Sequence, residues 1–74
     1  MMSMSPNTRA EAIFASLLQP SEHLTRAEVN AAILASLRTY GGPRGCAAVM
    51  AVEYGDHPEV AARRMRWALE LCMS

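Results

Sequence analysis

The sequence predicts an all-α fold, a compact domain of four helices. Apolar residues recur at helical spacing along most of the chain, and proline and glycine divide it into four segments. The apolar run at residues 46–54 could also form a strand, but the chain contains no second candidate strand to pair with it. The chain has 74 residues, which is one domain at most. A chain this short buries only about 60% of the surface that its unfolded form exposes, so either close helix packing or an oligomer must complete the core.

The first helix is predicted over residues 7–18, after a disordered tail at residues 1–6. Asn7 or Ser5 can cap this helix, and Pro20 ends the segment. Its apolar positions fall on one arc at helical spacing: Ala10, Ile13, Phe14, Leu17 and Leu18.

The second helix has the clearest start signal in the chain. Thr25 and Glu28 form the pattern of a capping box, in which each side chain bonds the backbone amide of the other residue. An apolar stripe follows at helical spacing, and glycine and proline at residues 41–43 stop the helix. The stripe consists of Val29, Ile33, Leu37 and Tyr40.

The third segment, residues 46–54, is an apolar run in which Glu53 is the only charged residue. Periodicity alone does not distinguish a buried strand from a buried helix here. A single strand cannot pair the hydrogen-bonding groups of its own backbone. We therefore expect a helix at the centre of the fold. Gly55 is expected to close it.

The last helix is predicted to begin after Asp56 as cap, with Pro58 and Glu59 in its first turn, and to reach about Cys72. It completes a single helical domain over residues 7–73. Its apolar arc is wide and includes the only tryptophan. The Gly-rich segment 41–45 precedes a helix but lacks the strand and the Gly-Lys-Ser/Thr ending of a phosphate-binding loop, so we expect a connector.

One local pattern points to a function. Ala51 and Gly55 are four residues apart, Pro58-Glu59 follows, and Met65 lies ten residues after the glycine. In these features residues 47–69 resemble helix-turn-helix DNA-binding domains. The resemblance implies that the last two helices meet at an angle across Gly55 and that the protein is transcription-associated. Ala61 and Arg64 depart from the pattern, because branched apolar or buried residues are usual at those positions.

The resemblance also implies a set of DNA contacts to phosphates or base edges, from Arg44, His57, Arg63, Arg64 and Arg66. The formal net charge is zero, so such contacts would depend on a local basic patch. A solvated helix face is the alternative, since Glu59 is four residues before Arg63 and Arg66 four before Glu70.

Arg64 falls inside the apolar arc of the last helix, where an unpaired guanidinium would be costly. We expect one of three arrangements. The guanidinium of Arg64 reaches water while its alkyl chain lies along the core, or the guanidinium pairs with Glu53, or the apolar arc of the last helix binds a partner. In the third case Arg64 and Trp67 would anchor an interface.

The alternative function is a protein–protein interaction module or a homo-oligomer. It would use apolar surface of the first and last helices, at Phe14, Met65 and Trp67, with Arg64 beside them. A homodimer or another protein is then the partner.

Enzymatic, metal and membrane functions are not expected. Four residues supply metal-ligand types, but no two have a recognised ligand spacing: His23, Cys46, His57 and Cys72. We find no paired carboxylates for catalysis, and we expect no cofactor and no small-molecule substrate. We predict a cytoplasmic protein with two reduced thiols, without a signal peptide or a membrane span.

Overall fold

The computed structural model describes residues 5–20 and 23–73. In this part of the chain it contains helices and no strand, so the predicted all-α four-helix fold is confirmed. Most of the predicted tail, residues 1–4, lies outside the described residues. The four helices are α1 (Pro6–Ala15), α2 (Arg26–Tyr40), α3 (Pro43–Asp56) and α4 (Pro58–Met73).

Helix α1 is shorter than predicted. It begins at Pro6 because the hydroxyl of Ser5 accepts a hydrogen bond of 3.2 Å from the amide of Thr8. It ends at Ala15 because Ser16 has extended backbone and donates its hydroxyl to the carbonyl oxygen of Ile13. Leu17 therefore leaves the apolar arc to which it was assigned, and 93% of it is exposed.

Helices α1 and α3 each pack against the other three helices, and α1 is the most deeply buried helix of the described part. The small alanine side chains of α1 allow the neighbouring helices to approach closely. The buried residues of α1 are Ala10, Ala12, Ile13, Phe14 and Ala15. Helix α3 contacts every other helix, as predicted for a central helix, but it is not buried as predicted. Helix α3 buries only Cys46 completely, because the remaining short helices cannot cover a helix that is apolar on every side.

Helix α2 follows its predicted pattern except at Tyr40, the last residue of the stripe, which is exposed. Both bonds of the capping box form, since the amide of Glu28 donates to Thr25 Oγ1 at 3.1 Å and the amide of Thr25 donates to Glu28 Oε1 at 3.0 Å. Val29 and Ile33 are buried against α1. At the other end Gly41 has the left-handed conformation, with φ of 77°.

The turn between α2 and α3 is tighter than a flexible connector. Helix α3 begins at Pro43, three residues earlier than predicted, so Gly45 lies in its first turn. A Cβ atom on Gly45 would lie 1.6 Å from the carbonyl oxygen of Tyr40, a distance that no side chain can occupy. Gly45 is thus required by the close approach of two backbones.

A single residue, His57, separates α3 from α4. Its amide donates to the carbonyl oxygen of Glu53 at 2.7 Å, and its own carbonyl accepts from the amide of Ala61 at 2.9 Å. Gly55 therefore does not end α3 as predicted, and His57 rather than Asp56 occupies the junction. A glycine allows a helix to end but does not force it to end. Pro58 does end α3, because proline has no backbone N–H to donate the next helical hydrogen bond.

Candidate interaction surface

Arg64 extends from α4 to the carboxyl end of α1. Its Nε donates to the carbonyl oxygen of Phe14 at 2.8 Å. Its Nη2 donates to the carbonyl oxygens of Ser16 and Leu18, each at 3.0 Å, and to that of Ile13 at 3.4 Å. The guanidinium thus supplies donors to the carbonyl groups of Phe14, Ser16 and Leu18, at the end of α1 and just beyond it, while that of Ile13 also accepts from Ser16.

Two aromatic rings enclose the same guanidinium. Its Cζ lies 4.9 Å from the centroid of the Trp67 ring and 5.8 Å from that of Phe14. Burial lowers the pKa of the Arg64 guanidinium. Neither the head exposed to water nor the pair with Glu53 describes this contact. The guanidinium bonds backbone carbonyl groups and not Glu53, so it caps α1 as a cation at its negative end.

The other residues expected to contact DNA are exposed, and acidic residues lie near two of them on α4. Arg63 and Arg66 lie on the outer stripe of α4, where Glu59 and Glu70 occupy the positions before and after them. Each arginine on this stripe therefore has an acidic neighbour one turn away. Two further exposed residues, Arg44 and His57, lie at the two ends of α3.

Of the residues expected to form a protein interface, Phe14 is buried, and Met65 and Trp67 pack against the core. Phe14 is only 4% exposed, and its ring stacks on Tyr54 with centroids 6.4 Å apart. Met65 and Trp67 are half-buried against the core cluster. These side chains hold α1, α3 and α4 together, so the exposed apolar surface must be sought elsewhere.

One exposed apolar helix face belongs to α3, on the side away from buried Cys46. We call it the α3 outer face and define it by five exposed residues at helical spacing: Arg44, Ala48, Ala51, Val52 and Gly55. Val52 is 60% exposed. A Cβ atom on Gly55 would meet nothing within 4 Å, so the face is open at that end.

The sequence analysis missed this face because it assigned α3 to the buried centre. A signal was present in the sequence. A helix without a charged stripe must be covered on all sides or must expose an apolar side. A chain of four short helices has too little surface to cover such a helix on all sides, which favours the second outcome.

A second exposed apolar surface is a groove between the end of α1 and α2, with a volume of about 310 Å³. We call it the α1–α2 groove. Leu17 lies at its edge, and its floor is formed by small side chains of α2: Ala32, Ala35, Ser36 and Thr39.

A third concavity, of about 440 Å³, has a polar lining between the start of α2 and the end of α4. Arg9 lies in it and donates from Nη2 to Asn30 Oδ1 at 2.9 Å, which joins α1 to α2. Cys72 also lines it, and burial raises the pKa of its thiol although Arg9 opposes that shift. Arg9 therefore has a structural partner, and Cys72 is not an activated nucleophile.

No cluster of chemically active residues accompanies these surfaces. Within residues 5–20 and 23–73, no three histidine, cysteine, aspartate or glutamate residues come together as metal ligands would. Burial raises the pKa of the Cys46 thiol, with a smaller contribution from Glu11. None of the helices in the described part has both the length and the apolar character needed to cross a membrane.

Comparison with known proteins gives no match: no protein-family model, no curated protein and no solved structure is significantly similar to this chain.

Proposed function

We propose that this chain is a small non-enzymatic helical protein that functions through self-association, with the α3 outer face as its contact surface. The observation that carries the proposal is the exposure of this face. Ala48, Ala51 and Val52 form a continuous apolar strip on the outside of the monomer. Exposed apolar strips of this kind are typical of interaction sites.

The monomer's own core is small, which favours completion by a second copy. Its largest fully buried side chains are those of Ile13, Ile33 and Cys46. Burial of apolar surface contributes roughly 25 cal/mol per Å², so a partner that covers the α3 outer face would add stability that the monomer lacks. A homodimer is the commonest way in which a soluble chain achieves this.

Binding of duplex DNA, which the helix-turn-helix resemblance implies, is supported less well by the geometry. Arg64 bonds the end of α1. Acidic residues flank Arg63 and Arg66 on the outer stripe of α4. A protein that bound phosphates strongly would present a basic face with few acids.

Sedimentation velocity at increasing protein concentration tests self-association, with two variants as matched probes. Val52→Glu puts a charge on the α3 outer face, and Leu17→Glu puts the same charge beside the α1–α2 groove. We expect the wild-type chain and Leu17→Glu to form dimers and Val52→Glu to remain monomeric. A wild-type chain that stays monomeric at millimolar concentration would contradict the proposal.

A shift assay on random duplex DNA tests the competing hypothesis in the same preparation. Phosphate binding weakens steeply with salt, so a shift at low salt that disappears at moderate salt would identify DNA binding. We expect no shift at low salt. If a shift occurs and the protein is monomeric, the DNA hypothesis replaces self-association.

A further inference from the structure

We infer that the concavity between the start of α2 and the end of α4 binds a small organic anion, whose oxyanion group is held by Arg9 and Arg26. We call it the α2–α4 concavity. Its volume of about 440 Å³ lies within the range of small-molecule sites. Its described lining comes from α1, α2, α4 and Leu24, which precedes α2, and includes no residue of α3. The inference therefore goes beyond the proposed self-association and does not depend on it.

The charged side chains in the described lining of the α2–α4 concavity are both cations. Arg9 comes from α1 and Arg26 is the first residue of α2, and no acidic side chain of residues 5–20 and 23–73 joins them in the lining. Glu28, two residues after Arg26, accepts a hydrogen bond of 3.0 Å from the amide of Thr25. The whole chain has a formal net charge of zero, so composition does not explain this local excess of positive charge. Two cations that share a concave site attract an anion.

Arg9 is oriented before any ligand binds. Its Nη2 donates to Asn30 Oδ1 at 2.9 Å, and Asn30 also lines the concavity. A guanidinium has five N–H groups, so this bond leaves donors for a ligand oxygen. The planar group matches a carboxylate or a phosphate through two parallel hydrogen bonds. A side chain that is already oriented loses less conformational entropy when the ligand binds.

Three apolar side chains line the same concavity, namely Leu24, Val29 and Leu71. Val29 is buried, and the two leucines pack against the core cluster, so the fold fixes this apolar wall. An inorganic anion would leave the wall in contact with water. An alkyl chain attached to the anion covers it and removes apolar surface from water. The ligand class is therefore an organic acid that carries a carboxylate or a phosphate group.

Cys72 provides a reporter inside the α2–α4 concavity. Burial raises the pKa of its thiol, and Arg9 opposes that rise. An anion bound to Arg9 offsets this influence and also covers the thiol, so both effects slow the reaction with a disulfide reagent. We expect saturating hexanoate to slow the labelling of Cys72 in the wild-type chain about threefold or more, relative to chloride at the same ionic strength. Mass spectrometry of peptides assigns the label to Cys72.

Titrations followed by amide chemical shifts test which part of the ligand is recognised. Hexanamide has the chain of hexanoate without its charge, and we expect it to bind about tenfold more weakly or less. Acetate and inorganic phosphate lack the chain and should bind more weakly than hexanoate and hexyl phosphate, respectively. The tighter of hexanoate and hexyl phosphate identifies the preferred oxyanion. Equal binding of hexanoate and hexanamide would contradict recognition of the charge.

Three glutamine variants locate the site. Arg9→Gln and Arg26→Gln should each weaken hexanoate binding about tenfold and remove the protection of Cys72. Arg38→Gln is the matched control, because Arg38 lies in the last turn of α2 and outside the described lining. It should bind hexanoate within about twofold of the wild-type chain. Circular dichroism verifies that each variant folds, and exposed Arg26 gives a test even if Arg9→Gln, which loses the bond to Asn30, does not fold.

The results have opposite meanings for the inference. Protection of Cys72 and tighter binding of the charged ligand, both lost in Arg26→Gln and kept in Arg38→Gln, would support an organic-anion site. Hexanoate binding that is equal in Arg26→Gln, Arg38→Gln and the wild-type chain would overturn it. An absence of chemical-shift changes at millimolar hexanoate and hexyl phosphate would overturn it as well.

Discussion

The Nε of Arg64 donates a hydrogen bond of 2.8 Å to the carbonyl oxygen of Phe14, which lies 50 residues earlier in the chain. This bond joins the last helix to the end of the first. The last turn of α1 contains no basic residue of its own, so the cation that stabilises its negative end comes from α4. Arg64 is therefore a residue of the fold, which is why it lies within an apolar face.

Replacement of Arg64 tests this role. We expect Arg64→Ala to lower the free energy of unfolding by about 2–3 kcal/mol, because hydrogen bonds to a charged group are lost and carbonyl groups near Phe14 and Leu18 lose their donor. Arg64→Lys should recover part of this loss, since an ammonium group replaces the charge without the planar fork. Urea unfolding measures both. The matched control is Arg63→Ala, an exposed neighbour, for which a change within about 0.5 kcal/mol is expected. Equal effects of Arg63→Ala and Arg64→Ala would contradict the capping role.

Two glycines of α3 should respond to alanine in opposite directions. Gly45→Ala places a Cβ atom against the carbonyl oxygen of Tyr40 and should destabilise the fold strongly, because backbone must move. Gly55→Ala meets open space in a helical segment and should stabilise the monomer by about 0.5–1 kcal/mol. Thermal unfolding at low protein concentration compares them. A stable Gly45→Ala variant would show that the α2–α3 turn is not constrained as described.

The capping box of α2 should give stability that depends on pH. The amide and hydroxyl of Thr25 bond the carboxylate of Glu28, and they lower its pKa. A carboxyl whose pKa is lower in the folded state stabilises the fold above its unfolded pKa, roughly 4.3, and this stability is lost as the pH falls through the folded pKa. We therefore expect the wild-type urea midpoint to exceed that of Glu28→Gln at pH 7. The two midpoints should converge toward pH 3, and a difference independent of pH would contradict the role of the charge.

The two thiols should react slowly with a disulfide reagent in the native state. Burial raises the pKa of both Cys46 and Cys72, so less thiolate is present near pH 8 than in a free cysteine. Cys46 should be the slower because it is completely buried. Single Cys→Ser variants assign each rate, and unfolding in urea should accelerate both. Rapid modification of native Cys46 would contradict its placement against α1.

The sequence predicted those parts of the fold that local chemistry determines. Thr25 and Glu28 are three residues apart, and their reciprocal bonds require nothing from the rest of the chain. The end of α1 was predicted too late because Ser16 and the distant Arg64 determine it. No local pattern records a bond that spans 48 residues, as the one between Arg64 and Ser16 does.

The candidate site was harder to predict, for a related reason. The apolar run of α3 was interpreted as the centre of the fold, although its composition was equally consistent with an exposed apolar side. The side of α3 that is buried depends on how α3 packs against α1. The buried alanines of α1 allow the other three helices to pack closely against it. Packing between helices also buries Phe14, which the sequence analysis had assigned to an interface.

Sedimentation of the wild-type chain beside Val52→Glu and Leu17→Glu tests the central claim most directly, because the two variants place the same charge on two different exposed apolar surfaces. We predict dimers for the wild-type chain and for Leu17→Glu, and monomers for Val52→Glu at the same concentration. Dimers that are lost in Leu17→Glu and kept in Val52→Glu would contradict this claim, since association would then use the α1–α2 groove and not the α3 outer face.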